Sequence, residues 1–316
     1  MAKILFIGID FHDYAREICA ACERLGHTVD FRRLEDRSFA SKALKKLAGT
    51  TYRRRLDAYH RRIVEESAGE AYDVVLFIQV HHMALETVQR LKDLQPGARF
   101  VLYNWDSLTT HDYRPWMKLF DLVATFDPED AEELGATYLP LFAIPTFFEI
   151  DHERPKDFDL YFVGAIGTMH RFDALARLHD FAEQESLKTH FHLVCSPVIR
   201  TQLARQGKHL PGVTGKGVGF GEIVDLLERS RGTFDFANHK QSGYTMRLIE
   251  NMCADRKIVT ENPRILSEPF YREDRFHLVD GYDFSGVAEF LARPIESKLD
   301  TRAFSVDNWV RQLVEV

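Results

Sequence analysis

Cysteine is scarce in this chain: four in 316 residues, at positions 19, 22, 195 and 253. So few scattered thiols exclude a disulfide-stapled scaffold and fit a reducing compartment. Cys19 and Cys22 form a C-x-x-C, but inside a helical pattern, and no second pair completes a zinc site. They read as a redox or metal pair only weakly, and otherwise as small core residues. Long apolar runs are also missing. The longest candidate, Thr137 to Ile150, is broken by Pro140 and Pro145, well short of the roughly 18 apolar residues of a membrane span. Met1-Ala2-Lys3 leads into only ILFIGI, the length of a buried strand rather than of a secretion signal. A cytoplasmic protein is expected. Positive charge is not in excess, with 41 Lys and Arg against 48 Asp and Glu, so general nucleic-acid binding is not indicated. The turn after the first apolar run, GIDFHDYA, carries one glycine where a dinucleotide fingerprint needs three, which argues against a nicotinamide enzyme.

What is present is an ordinary globular composition, 45% apolar and 28% charged, at a length suited to two domains. Apolar runs alternate with helical patterns. KILFIGI (3–9), HTVDFR (27–32), YDVVLFIQV (72–80), ARFVLYNW (98–105), DLVATF (121–126) and ATYLPLF (136–142) suit strands buried on both faces of a parallel sheet. The charged EIDHERPKDFD separates this half from a second with the same alternation: DLYFVG (159–164), THFHLVC (189–195), GTFDFAN (232–238), KIVT (257–260) and FHLVD (276–280). The fold class is therefore α/β: two Rossmann-like domains facing a cleft, over residues 1–152 and 153–300. A helix at 301–316 is free to pack back on the first.

Parallel sheets bind ligands outside the carboxyl ends of their strands. In the first half those positions hold Asp10, His12 and Asp13; His81 and His82; Asp106 and Ser107; and Asp127. In the second, FVGAIGTMHRF puts Gly164 and Gly167 after a strand and Arg171 at a helix start. That arrangement serves a phosphate, or simply a tight strand-to-helix turn. Lys216, in GVTGKGVGFGE, is a weaker candidate of the same kind.

The stretch Asn238–Pro263 combines these features. Ser242 and Gly243 precede a helix expected over about 244–254, where free N–H groups and the helix dipole favour an anion. Met246, Ile249 and Cys253 form its buried stripe. Arg247 and Glu250 fall on an adjacent face, either as ligands of a nucleotide diphosphate and its sugar or as a solvated salt bridge. A separate signal runs from Arg32 to Arg62: eleven Lys or Arg against three acids, a local charge of +8 in a chain of net charge −7. It reads as a surface for anionic lipid or a lipid-linked phosphate, or as a solvated helical face.

YNWDSL (103–108), FDLVATFDPEDAEELGATYLPLF (120–142), FVGAIGTMHR (162–171) and QSGYTMRLIENMCADRKIVTENP (241–263) together resemble the bacterial cell-envelope glycosyltransferases of GT-B fold. More narrowly they resemble lipopolysaccharide or capsular-polysaccharide biosynthesis proteins, akin to spore-maturation-type glycosyltransferases. The resemblance spans roughly residues 100 to 265, and R-x-x-E followed by K-I-V-T-x-N is its most specific part. It implies a nucleotide-sugar donor on the second domain. Gly164, Arg171, Gly243 and Tyr244 would meet the diphosphate, Arg247 the phosphate or sugar, and Glu250 the ribose or sugar hydroxyls. It implies a glycan or lipid-linked acceptor on the first domain, with no cofactor and no metal. Many retaining members carry a second glutamate eight residues before the position of Glu250. Here Ser242 stands there, which favours inversion and hence a base for the acceptor hydroxyl. Asp106 is the first candidate, with Asp13 and His12 next. An Asx cap of D-S-L-T-T is the competing reading of Asp106. Two other functions stay open: a non-catalytic nucleotide- or glycan-binding component of an envelope assembly, and a sugar-phosphate-modifying enzyme of another Rossmann type.

Overall fold

Unbroken apolar runs such as VVLFI have no polar face to give to solvent, so they must sit in the middle of a covered sheet. The computed structural model describes residues 1–36, 38, 41, 48–236 and 241–315. Their contacts divide into two units, the first drawn from 1–141 with 241–243 and 305–315, the second from 142–236 with 244–304.

In the first unit the strands β1 (Lys3–Gly8), β2 (Thr28–Arg33), β3 (Val74–Ile78), β4 (Arg99–Asn104), β5 (Leu122–Thr125) and β6 (Thr137–Tyr138) form one parallel sheet in the order β2-β1-β3-β4-β5-β6. All five residues of β3 are buried, as a central strand demands. Its core joins Leu5, Ile7, Val75, Phe77, Phe100 and Leu102. Strand β6 is shorter than the run 136–142 suggests, because Pro140 has no N–H to give to a ladder. The last helix, Val306–Val314, is capped by Ser305 and packs on the helix Tyr14–Arg24. Trp309 meets Tyr103 edge-on at 4.7 Å, and Arg24 Nε donates to Asp307 at 3.1 Å.

In the second unit β7 (Phe158–Ile166), β8 (Thr189–Cys195), β9 (Val213–Thr214), β10 (Ser230–Asp235), β11 (Lys257–Thr260) and β12 (Phe276–Leu278) are also all parallel, in the order β12-β11-β10-β7-β8-β9. Phe162, Leu175, Leu193 and Phe234 anchor its core. The two-residue β9 lies inside the glycine-rich loop, where no apolar run announces it. Gly164 lies within β7, two residues short of the turn in which the sequence pattern puts it.

Each order reverses direction once, between β1 and β3 in the first unit and between β7 and β10 in the second. Outside such a reversal the two adjacent helices leave on opposite faces and open a crevice at the carboxyl ends.

Candidate functional site

At the second unit's reversal, the helix Met169–Gln184 begins with Thr168, whose side chain accepts from Arg171 N at 3.3 Å. The Arg171 guanidinium is held by backbone carbonyls, donating to Ala165 O at 3.1 Å and Phe236 O at 3.0 Å, with the rings of Phe162 and Phe236 on it. Arg171 is thus a strap between β7 and the chain leaving β10, and burial pulls its pKa down. Gly164 serves the same packing: a Cβ there would meet Phe162 at 2.9 Å and Arg171 at 3.4 Å. Asp235, the last residue of β10, is 3% exposed and accepts from Thr245 and from Thr260, the latter at 3.2 Å. Burial raises its pKa, against hydrogen bonds and the charges of Arg171 and Arg247. Glu261, directly after β11, is pushed up to about 7, first by burial and then by Asp235. Neither acid stood out in the sequence. The one available signal for Asp235 is a charge closing an otherwise apolar strand.

The stretch after β10 differs from its sequence reading. Its first described residue is Gln241, so Asn238 lies outside the described residues. The helix runs Met246–Cys253, and its cap is Thr245, which accepts from Leu248 N at 3.1 Å. Ser242 and Gly243 do not cap it. They join the first unit, where Ser242 N donates to Asp127 at 2.8 Å and Gly243 packs so tightly that a Cβ would lie 2.5 Å from Phe126 O. Asp127 also caps the helix Pro128–Leu134 and is 2% exposed. A glutamate at position 242 would therefore face a buried carboxylate, which accounts physically for the serine. Tyr244 is 2% exposed and donates to Glu268 at 2.8 Å, a core contact. Leu248, Ile249, Glu250, Asn251, Met252 and Cys253 are all buried, so the helix has no solvated side for a surface salt bridge. Arg247 and Glu250 do form an ion pair, but with side-chain exposures of 20% and 4%. The Glu250 carboxylate is thus held by Arg247 in a largely water-free setting.

In the first unit two residues just past the strands that flank the reversal adopt the left-handed backbone that non-glycine residues rarely take: His12 (φ 46°) after β1 and Gln79 (φ 62°) after β3. Such strain persists where the surroundings impose it, and it concentrates at functional sites. The Gln79 amide donates to the Asp106 carboxylate, and His111 Nε2 lies 3.6 Å from Asp106 Oδ2. His111 stacks face to face on His81 with ring centroids 3.6 Å apart, and His82 lies 4.0 Å from His81. Burial, then the two neighbouring imidazoles, push His81 down to about 3, so it is neutral at working pH. Asp106 does not act as the Asx cap of its segment: Leu108 N is taken by Asp130 at 2.6 Å. Its side chain stays 44% exposed. Asp13 precedes the helix Tyr14–Arg24 without capping it and pairs with Arg16 at 3.1 Å. Sequence reasoning missed Gln79 and His111, since nothing in a sequence marks a left-handed glutamine.

Other candidates lie apart. Lys216 is exposed after the edge strand β9, its carbonyl accepting from His192 at 2.9 Å. In the basic stretch, Arg37, Lys42, Lys45 and Lys46 lie outside the described residues. The helix Gly49–Ser67 exposes Arg53, Arg54, Arg55, Arg61 and Arg62, of which Arg55 pairs with Asp36 and Arg62 with Glu66. Cys19 and Cys22 are free thiols pushed up by burial to about 11 and about 12. At neutral pH such thiols are protonated rather than nucleophilic thiolates. Among the described residues no group of three or more His, Cys, Asp or Glu has metal-site geometry, and no helix is long and apolar enough to cross a membrane.

Two all-parallel Rossmann-like units in one chain, each with its reversal and its polar strand ends, define the GT-B architecture. Among solved structures the chain is similar to the lipopolysaccharide outer core galactosyltransferase WaaB, with 16% identity and a TM-score of 0.51 over 99% of this chain and 96% of that one. It is similar to an α,α-trehalose-phosphate synthase (UDP-forming) from Burkholderia xenovorans in complex with glucose-6-phosphate, with 13% identity and a TM-score of 0.61 over 99% of both chains. It is similar also to UDP-N-acetylglucosamine 2-epimerase from Rickettsia bellii, with 11% identity and a TM-score of 0.53 over 99% and 94%. No family profile and no curated protein matches the chain. Likeness at these identities is a likeness of fold.

Proposed function

We propose that the chain is a glycosyltransferase that moves a sugar from a nucleotide-sugar donor to a cell-surface polysaccharide or lipid-linked glycan. The observation that carries this reading is the buried Arg247–Glu250 pair on the helix that follows β10, the sheet neighbour of β7, which the Thr168-capped helix follows. The Thr168 turn offers backbone N–H groups to a diphosphate, and Glu250 offers a fixed acceptor to sugar or ribose hydroxyls. Full-length fold likeness to a galactosyltransferase and a UDP-forming synthase supports the same reading.

The reaction is a direct displacement with inversion. An acceptor hydroxyl oxygen bonds to the anomeric carbon as the bond to the diphosphate oxygen breaks and its electrons leave with the diphosphate. Asp106 takes the hydroxyl proton, held in place by Gln79. No metal is required, because N–H dipoles and arginine charge offset the leaving group. The acceptor belongs to the first unit, and the exposed arginines of Gly49–Ser67 suit an anionic or membrane-borne one.

A thermal-shift screen of UDP, GDP, CMP and TDP sugars tests the donor, since a ligand of the folded state raises Tm. The reading fails if none shifts Tm and Glu250→Gln changes nothing. A non-catalytic binder would keep the shift but give no transfer with any donor. An epimerase would convert the nucleotide sugar without an acceptor and release no nucleotide diphosphate.

A further inference from the structure

The second unit carries another cavity, at the β9 side of its sheet and two strands removed from the reversal. It holds about 530 Å³ and is lined by His179, Arg200, Leu203, Lys208, His209 and Leu210 among others. We infer that this cavity is a second binding site, independent of the donor, for a small organic anion: a phosphate or carboxylate head on an apolar body.

Its walls are built rather than incidental. The loop joining the helix Pro197–Arg205 to β9 turns on Gly207 (φ 64°) and Gly212 (φ 83°). At Gly212 a Cβ would fall 1.8 Å from Phe191 O, and the glycine carbonyl accepts from Leu193 N at 2.9 Å. This pins the Lys208–Pro211 segment to β8. Val213, from the glycine-rich stretch, lines the cavity, and Gly215 makes room for the Arg200 guanidinium, which a Cβ would meet at 3.2 Å.

The chemistry of the lining points to an anion. Arg200 brings one permanent positive charge, Lys208 a second that Asp173 already pairs, and His179 and His209 add imidazole nitrogens, while no carboxylate is among the described lining residues. Asp173 orients Lys208 at 2.5 Å from the neighbouring helix. In a chain of net charge −7, such a cation-lined cavity stands out as an attractor of negative ligands. The apolar half of the ligand is read from Leu203 and Leu210, 4% and 7% exposed, which floor the cavity.

Isothermal titration calorimetry of the full chain tests this, with phenyl phosphate as probe and benzoate and inorganic phosphate as separate arms. Phenyl phosphate is expected to bind one site, and Arg200→Ala or Lys208→Met to weaken it by about tenfold each. His179→Leu should weaken it too, while Thr168→Ala, in the proposed donor site, leaves it unchanged. Benzoate binding as tightly as phenyl phosphate assigns a carboxylate head, and weaker benzoate assigns a phosphate. The inference is overturned by absence of binding at millimolar probe or by an unweakened Arg200→Ala/Lys208→Met double variant. Loss in Thr168→Ala with retention in Arg200→Ala, or inorganic phosphate matching phenyl phosphate, overturns it as well. Melting curves confirm that each variant is folded. Because Arg200 is exposed, its substitution leaves the core intact.

Discussion

At the carboxyl ends of β3 and β4, Asp106 keeps 44% of its side chain exposed, beside a glutamine and a histidine stack. At the end of β10 and within the helix that follows it, Asp235 and Glu250 are each 3% exposed and tied to threonine hydroxyls and an arginine. The same topological device, a reversal in a parallel sheet, is finished in opposite ways. A proton acceptor must reach solvent-borne substrate and gain or lose charge within a turnover, so burial would hinder it. A group that only orients hydroxyls gains from being fixed, because its ordering is done during folding rather than on binding. Under the proposed reaction, the first unit would carry the reactive group and the second the recognition groups.

The sharpest way to break the comparison is Asp106→Asn. The amide keeps the shape but cannot take a proton, so transfer should fall by about 10²–10⁴-fold, the usual worth of a general base. Donor affinity and Tm should hardly move, because nearly half of the side chain is exposed and the amide oxygen can still accept from Gln79. Nucleotide diphosphate release with acceptor present measures it. Undiminished release moves the base to Asp13 or His12.

Glu250→Ala probes the buried side. It leaves the Arg247 guanidinium without its carboxylate, and removal of one partner of a buried pair costs about 3–5 kcal/mol. With Arg247 20% exposed, a loss of about 2–3 kcal/mol in urea unfolding is expected, together with a lost donor-induced Tm shift. A variant as stable as the parent would mean the pair is solvated after all.

These two sides were not equally readable in the sequence. Parallel strands announced themselves, because runs such as VVLFI leave no alternative to a covered sheet. Asp106 was legible as the first polar residue beyond such a run. Arg247 and Glu250 were legible as a pair but not as a buried one, since three-residue spacing is identical on a solvated and a covered helix. Local preference alone assigns the helix cap to Ser242 and Gly243, both good capping residues. A tertiary partner, Asp127, claims them instead, and no local rule anticipates a bond over 115 residues. Gly164 and Arg171 looked like a phosphate turn, yet their packing on Phe162 and on two carbonyls depends on where β10 ends.

An acid of the second unit also makes a pH prediction. Glu261 has a folded-state pKa of about 7 against an ordinary value of 4.5. A raised folded pKa means that the native state holds the proton more tightly than the unfolded chain. That stability is fully present below about 4.5 and lost as pH rises through about 7. Asp235, raised by burial, adds in the same direction, while Arg171 and Arg247 oppose it. Glu261→Gln should therefore flatten part of the decline and leave the variant more stable than the parent above neutrality, read by urea midpoints across that range. Parallel curves for the two proteins would place Glu261 in water.

The smallest effect tests whether the strained backbone of the first unit serves its reactive group. Gln79 sits at φ 62° and is 6% exposed, with its amide on Asp106. Asparagine tolerates the left-handed region better than glutamine does, by a few tenths to about 1 kcal/mol, but its amide is one methylene too short to reach Asp106. In Gln79→Asn the relieved backbone and the lost hydrogen bond nearly cancel, so stability should stay within about 1 kcal/mol of the parent. Transfer, in contrast, should fall by roughly tenfold in kcat with KM little changed, because a base free to rotate spends less time aligned with the acceptor hydroxyl. If Gln79 were merely filling space, stability would drop and kcat would not. The split between those two readouts decides whether the glutamine positions the base or only packs beneath it.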